Sequence, residues 1–390
     1  MVEISEIKDT SSLEAWLGGR FREYATVMAA RSALRTLPLF WDWSLSERAR
    51  KSGFMALPLL KCSFTAAVSS RYPKVSMKQI GVDVSEILNA RAKGISSAAW
   101  DAGYAVDSAV RLQAGHAANA AYDAVTDVFV QKFFTGEPGS GFAEARSMAD
   151  ASIWGNVRSD CSDLKRGIDL LSSPLWRDEN PLADLWADLR PKILSAENWQ
   201  PGDWRFWVEW YEQMLDPITN PPNWELLKQV ALLEPEVWDA GPKDVSEAIA
   251  EIENRFALLG ETKAWQQRAE ALEAEIAALK MRSHNQPPEL VEDIEALEAP
   301  VLDLTQNLAV VAEELEKPEP EKHLLRRCGE VIRDAALAII KYCGSIANDV
   351  IRAGAKTLGT GGAGLVLDSA FNDGRLVEYA TKLINGVVGG

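Results

Sequence analysis

Between residues 249 and 315 the apolar side chains return alternately at every fourth and every third position. Leu290, Ile294, Leu297, Val301, Leu304, Leu308, Val311 and Leu315 keep this rhythm unbroken, and Trp265, Ala269, Leu272, Ile276 and Leu279 keep it before them. A strand repeats every second residue, so only a helix places all of these side chains on one stripe. An earlier phase, Ile249, Ile252, Phe256 and Leu259, is interrupted near Gly260. The loop MRSHNQPPE at 281–289 separates the two heptad stretches, which predicts an antiparallel helical hairpin with coiled-coil character. Pro300 lies within the second helix and predicts a kink there. KPEPEK at 317–322 closes the hairpin. Residues 243–322 hold 19 acidic and 8 basic side chains, so much of the net charge of -16 belongs to the solvated faces of these two helices.

The remaining sequence is also helical in pattern, and composition divides it. Residues 1–140 are Ala-rich, with Ala, Val and aromatic side chains at helical spacing in Glu23–Leu39 and Val82–Phe134. AAWDA at 98–102 returns as AAYDA at 120–124, an offset of 22 residues close to six helical turns. Residues 141–242, entered through the breaker GEPGSG at 136–141, are rich in Trp and Pro. Nine of the 14 tryptophans fall between Trp154 and Trp238, interleaved with prolines, which predicts short helices held together by large rings. In DWRFWVEWYEQML, Asp203 is placed to cap a helix on which Trp204, Trp207 and Tyr211 share a face. Residues 243–322 form the hairpin, and residues 323–390 form an amphipathic, Gly-containing apolar tail. The fold class predicted is all-α.

Chemistry-bearing motifs are scarce. The four cysteines show no zinc spacing, and no CxxC, HExxH or GxSxG occurs. Gly359, Gly361 and Gly364 match GxGxxG in letters, but helical sequence precedes them where a dinucleotide site needs a strand. GEPGSGF has Phe142 where a phosphate loop needs Lys. Ser162 and Lys165 form an isolated SxxK, and His116 with Asp123 reads as a polar helix face. No catalytic residue, cofactor site or metal site is predicted, and the enzyme reading leans to no. The acidic balance argues against nucleic acid as a partner. Two surfaces remain as candidates. One is Trp204, Trp207, Trp210 and Tyr211 with Glu209 and Glu212, where rings and carboxylates together suit a stacked ligand or a protein partner. The other is the tail face of Leu325, Ile332, Ile339, Tyr342, Ile346 and Val350, continued by Leu365, Val366 and Leu367, which suits a membrane or an oligomer contact.

Two motifs carry a resemblance. HNQPPE at His284–Glu289 between heptad helices, together with residues 204–253 (WRFWVEWYEQML through SEAIAEIE), resembles an element of uncharacterised bacterial helical proteins that pair a Trp-rich segment with an HN-x-PP-E turn. The resemblance implies an architecture and no activity. The tail, with 8 basic and 6 acidic side chains, is mildly basic in an acidic chain. The layout therefore predicts a non-enzymatic, homo-oligomeric helical protein whose tail engages membrane lipid, as a pore-forming or membrane-perturbing effector; a role in bacterial defence is speculation. The alternative is a soluble oligomeric scaffold or adaptor, with a protein partner and the tail packed in the oligomer core. The third is a ligand-binding or hydrolase site in the Trp-rich segment. An acidic start, MVEISEIKDTSSLE, predicts a cytoplasmic location, peripheral at the inner membrane face if the tail binds lipid.

Overall fold

The computed structural model describes residues 2–20, 22–73, 113–133, 142–195, 198–282, 288–352 and 373–386, with Val75, Asp101, Tyr104, Ala105, Ser108 and Phe371. Every regular element among them is helical, so the chain is all-α. It divides into two compact units, Met1–Ile252 and Glu253–Gly390. The 136–141 breaker, most of the first AxxDA copy, the loop at 283–287 and the Gly359–Gly364 motif lie outside the described residues.

In the first unit α1 (Thr10–Leu17) starts from a capping box: Asp9 accepts the Ser12 backbone N–H at 2.8 Å, and the Ser12 hydroxyl accepts the Asp9 N–H at 3.1 Å. Helix α2 (Arg22–Ser44) is the centre of the unit. Every residue from Thr26 to Trp41 is buried, so the helix is enclosed on all sides. Around it pack α3 (Glu47–Ser52), α4 (Leu57–Arg71), α5 (Ala114–Phe133), α7 (Gly155–Lys165) and α8 (Ala183–Ile193). Alanines explain how closely α5 approaches, since Ala117, Ala118, Ala121 and Ala124 are buried on it. Helix α6 (Phe142–Ala149) runs into α7 through a π-helical turn, Asp150–Trp154. Helices α9 (Arg205–Leu215), α10 (Trp224–Ala231) and α11 (Pro235–Ala240) complete the unit with the start of α12 (Pro242–Arg282). The Ala-rich and Trp/Pro-rich segments thus share one core.

That core contains two buried arginines. Arg31 and Arg35 on α2 both bond the Asp160 carboxylate of α7, at 3.1 Å and 2.6 Å, and all three side chains are sealed from solvent. Arg31 also donates to the carbonyls of Leu170, Ser173 and Pro174, and Arg35 to that of Leu175. The loop after α7 is therefore tied to α2 through its backbone. Nearby, Asp163 pairs with Arg166 and Arg177. Burial opposes the ionisation of Asp160, but the two guanidiniums outweigh it and hold the carboxyl below its usual range.

The second unit combines the remainder of α12 with α13 (Pro288–Glu316), α14 (Lys322–Arg352) and α15 (Arg375–Gly386). Helices α12 and α13 run antiparallel, with Lys280 paired to Glu298 towards one end and Lys263 to Glu316, at 2.7 Å, towards the other. Helix α13 continues through Pro300. Helix α12 also continues through Gly260, where the apolar rhythm breaks. The interruption is one of phase: Leu259, Thr262 and Trp265 take successive three-residue steps on the buried side. The polar member is satisfied there, because the Thr262 hydroxyl bonds the Leu258 carbonyl at 2.7 Å and the Tyr379 hydroxyl of α15 at 2.6 Å. After α13, Glu314 accepts the Lys317 ammonium and the Glu321 N–H, which closes the turn and holds its carboxyl below the ordinary value.

Two glycines should respond oppositely to alanine. Gly202 has φ +100°, and a Cβ there would lie 2.7 Å from the Pro242 carbonyl oxygen. Gly202→Ala is expected to cost about 2 kcal/mol. Gly260 is helical and exposed, and an added Cβ meets no atom within 4 Å. Gly260→Ala is expected to add about 0.5–1 kcal/mol by removing conformational entropy from the unfolded chain. Urea unfolding of both variants checks the two signs.

Candidate functional site

The Trp-rich helix α9 shows what its rings do. Trp204, Trp207, Trp210 and Tyr211 are each 4% exposed or less. Phe64 of α4 lies edge-on to Trp207 and Trp210 at 5.6 Å and 5.2 Å, and Trp186 of α8 meets Tyr211 at 4.6 Å. Trp41 of α2 joins the same lattice through Trp186 and Trp204. These edge-to-face contacts are those of an aromatic core. The carboxylates face away from it. Glu209 is exposed, and Glu212 accepts the Arg190 Nε–H at 2.7 Å. Rings and carboxylates therefore do not converge on a common ligand position. Asp203 also differs from its predicted cap role: α9 has Trp204 at its cap without a side-chain bond, and Asp203 accepts the Arg205 N–H at 3.0 Å from one residue further back.

The tail face is partly interior as well. Leu325, Ile332 and Ile339 on α14 are fully buried in the core of the second unit, with Tyr342 packed against it. These three positions are thus unavailable to lipid, because α13 and α15 cover them. The side chains of Ile346 and Val350, and residues Leu365, Val366 and Leu367, lie outside the described residues. Among the described residues, no helix is long and apolar enough to cross a membrane.

The smaller motifs do not assemble either. The Ser162 hydroxyl donates to the Arg158 carbonyl at 2.9 Å, while Lys165 is exposed. His116 stands 3.9 Å from Glu14, and Asp123 instead accepts the Asn119 amide at 2.9 Å. Cys62, Cys161 and Cys328 are buried, and burial pushes the thiols of Cys161 and Cys328 up, away from a reactive thiolate.

One cleft was not foreseen in the sequence. A cavity of about 700 Å³, open to solvent, is lined by Ile4, Ser5, Lys8, Asp150, Gly155, Arg158, Ser159 and Ser162. Gly155, Arg158, Ser159 and Ser162 follow the spacing of one face of α7, and the N-terminal segment forms the opposite wall. Asp150 is the first residue of the π-helical turn, a local distortion often found at functional sites. Arg158 ties the walls together: its Nη1 donates to the Ile7 carbonyl at 2.8 Å, and its Nη2 lies 3.8 Å from the Asp150 carboxylate. A Cβ on Gly155 would have Arg158 Nη2 and the Asp150 carbonyl oxygen as its nearest neighbours, both at 4.0 Å. The only early sign of this face was Ser162, within an SxxK motif that implied a different partner. Lys8 and Arg158 are too far apart in sequence for any local pattern to join them.

Comparison with protein-family models, with curated proteins and with solved structures finds no match to this chain.

The core assignment of α9 has a direct check. The buried Tyr211 hydroxyl has no hydrogen-bond partner among the described residues, and burial drives its pKa far upward. Tyr211→Phe should therefore leave stability unchanged or raise it by about 1 kcal/mol. Trp207→Ala should lower it by about 4 kcal/mol through the cavity it leaves. A ligand-stacking surface would show the reverse order of importance, with Trp207→Ala folding at near wild-type stability.

Proposed function

We propose that this chain is a non-enzymatic helical scaffold that works as a homo-oligomer. The observation that carries the reading is the burial of Leu325, Ile332 and Ile339 in the chain's own second unit. An apolar face that packs against α13 and α15 serves architecture, and it leaves less apolar surface for a bilayer. The aromatic side chains of α9 support the same reading, since their rings join helices within the first unit. Exposed Leu302 and Val310 on α13 and Leu337 on α14 give the second unit apolar surface for contact with another copy.

Membrane engagement is the second reading. It is favoured by the mildly basic composition of residues 323–390, and its apolar contacts now fall to Ile346, Val350, Leu365, Val366 and Leu367. Flotation of the full chain with phosphatidylglycerol vesicles separates the two, with light scattering as the measure of assembly. A scaffold stays with the soluble fraction and scatters as an oligomer at tens of micromolar, about the range in which weak self-association is populated. Co-flotation with the vesicles, or a monomer at that concentration, would contradict the scaffold reading.

A further inference from the structure

We propose that the cleft between the N-terminal segment and α7 binds a small phosphorylated amine, its phosphate held by Lys8, Arg158, Ser5 and Ser159 and its ammonium by Asp150. The inference is independent of how the chain assembles. Among the lining residues Lys8 and Arg158 are cations and Asp150 is an anion, while Glu3, Glu6 and Asp9 flank them on the N-terminal segment of a chain whose net charge is -16. The field of the whole protein repels anions, so an anionic ligand must be held here by short-range, charge-assisted hydrogen bonds. The lining supplies these. Ser162 already donates its hydroxyl proton to the Arg158 carbonyl, which leaves Ser5 and Ser159 as the hydroxyl donors beside the ammonium of Lys8 and the Nη2 of Arg158.

Two cationic donors and two hydroxyls suit a phosphate monoester, whose charge of about -1.5 to -2 gains more from a pair of cations than the single charge of a carboxylate does. Asp150 would repel a bare dianion but attracts a cationic group on the same molecule. Its separation of 3.8 Å from Arg158 Nη2 places the two opposite charges side by side, so a zwitterionic ligand meets both. The cleft is shallow and broadly open to solvent, so a ligand here is held by charge-assisted contacts and not by enclosure. Gly155 leaves the wall without a side chain beside the Arg158 guanidinium.

Calorimetric titration of the full chain with inorganic phosphate and with O-phosphoethanolamine tests the assignment. Saturable heats are expected for both by about 10 mM, with O-phosphoethanolamine about fivefold tighter. Exposed Lys8 and half-buried Asp150 can be changed without opening the core. Lys8→Met should weaken both probes about tenfold, while Asp150→Asn should abolish the advantage of O-phosphoethanolamine and keep phosphate binding. Thermal melts matching wild type confirm that each variant folds. No saturable heat from either probe overturns the proposal, as does wild-type affinity in Lys8→Met. Flotation with phosphatidic acid vesicles distinguishes a lipid phosphate: binding to vesicles without binding to the soluble probes also overturns it.

Discussion

The first unit depends on the contact between Asp160 and the two arginines of α2. Three ionised groups sealed from water would be costly if any were left unmatched, so their geometry must be nearly complete. Backbone supplies most of it: the guanidiniums take up carbonyls of Leu170, Ser173, Pro174 and Leu175 as well as both carboxylate oxygens, and Arg35 Nη1 alone of their nitrogens has no hydrogen-bond partner among the described residues. A segment with little regular structure of its own is thereby fixed against the central helix. The same contact sets the rotation of α7. With Asp160 and Asp163 turned inward, the face carrying Gly155, Arg158, Ser159 and Ser162 must look outward, and the cleft follows from the core.

Around this polar centre the tryptophans supply area and shape. Short helices broken by prolines bury little surface each, and the lattice of Trp41, Trp186, Trp204, Trp207 and Trp210 joins them into one body. The second unit solves a related problem with one hydroxyl pair. A run of two three-residue steps rotates the buried stripe of α12, and Thr262 with Tyr379 occupies the position where the phase changes. Lys382 of α15 pairs with the neighbouring Glu261 at 2.9 Å, so the last helix is fixed beside that point.

The helical class, the element types and the buried stripes of α12, α13 and α14 were legible in the sequence because heptad spacing is local information. The roles of particular side chains were less so. Trp204, Trp207 and Trp210 could be read as core or as a binding surface, since both uses favour rings on one helical face. Arg31 and Arg35 were overlooked, although they are the only charges between Thr26 and Trp41 and stand four residues apart. Two charges inside the otherwise uncharged, apolar middle of a helix signal a buried ionic contact, but their partner lies 129 and 125 residues away. The cleft is hidden for the same reason, because its two walls come from the chain start and from α7. Near Gly260 the break in apolar phase was legible too, and the continuous helix accommodates it with the buried hydroxyl of Thr262.

A charged Asp160 holds the first unit together. Its depressed pKa gives the sign of the pH effect: the stabilisation is complete above the unfolded-state value of about 4 and is lost as pH falls towards the lower folded value. The direct measurement is the unfolding free energy of the wild type and of Asp160→Asn from pH 7 downward. The variant should show a deficit of about 3–5 kcal/mol at pH 7, narrowing in acid as the wild-type carboxyl also protonates. A deficit below about 1 kcal/mol at pH 7, or one that does not change with pH, would contradict it.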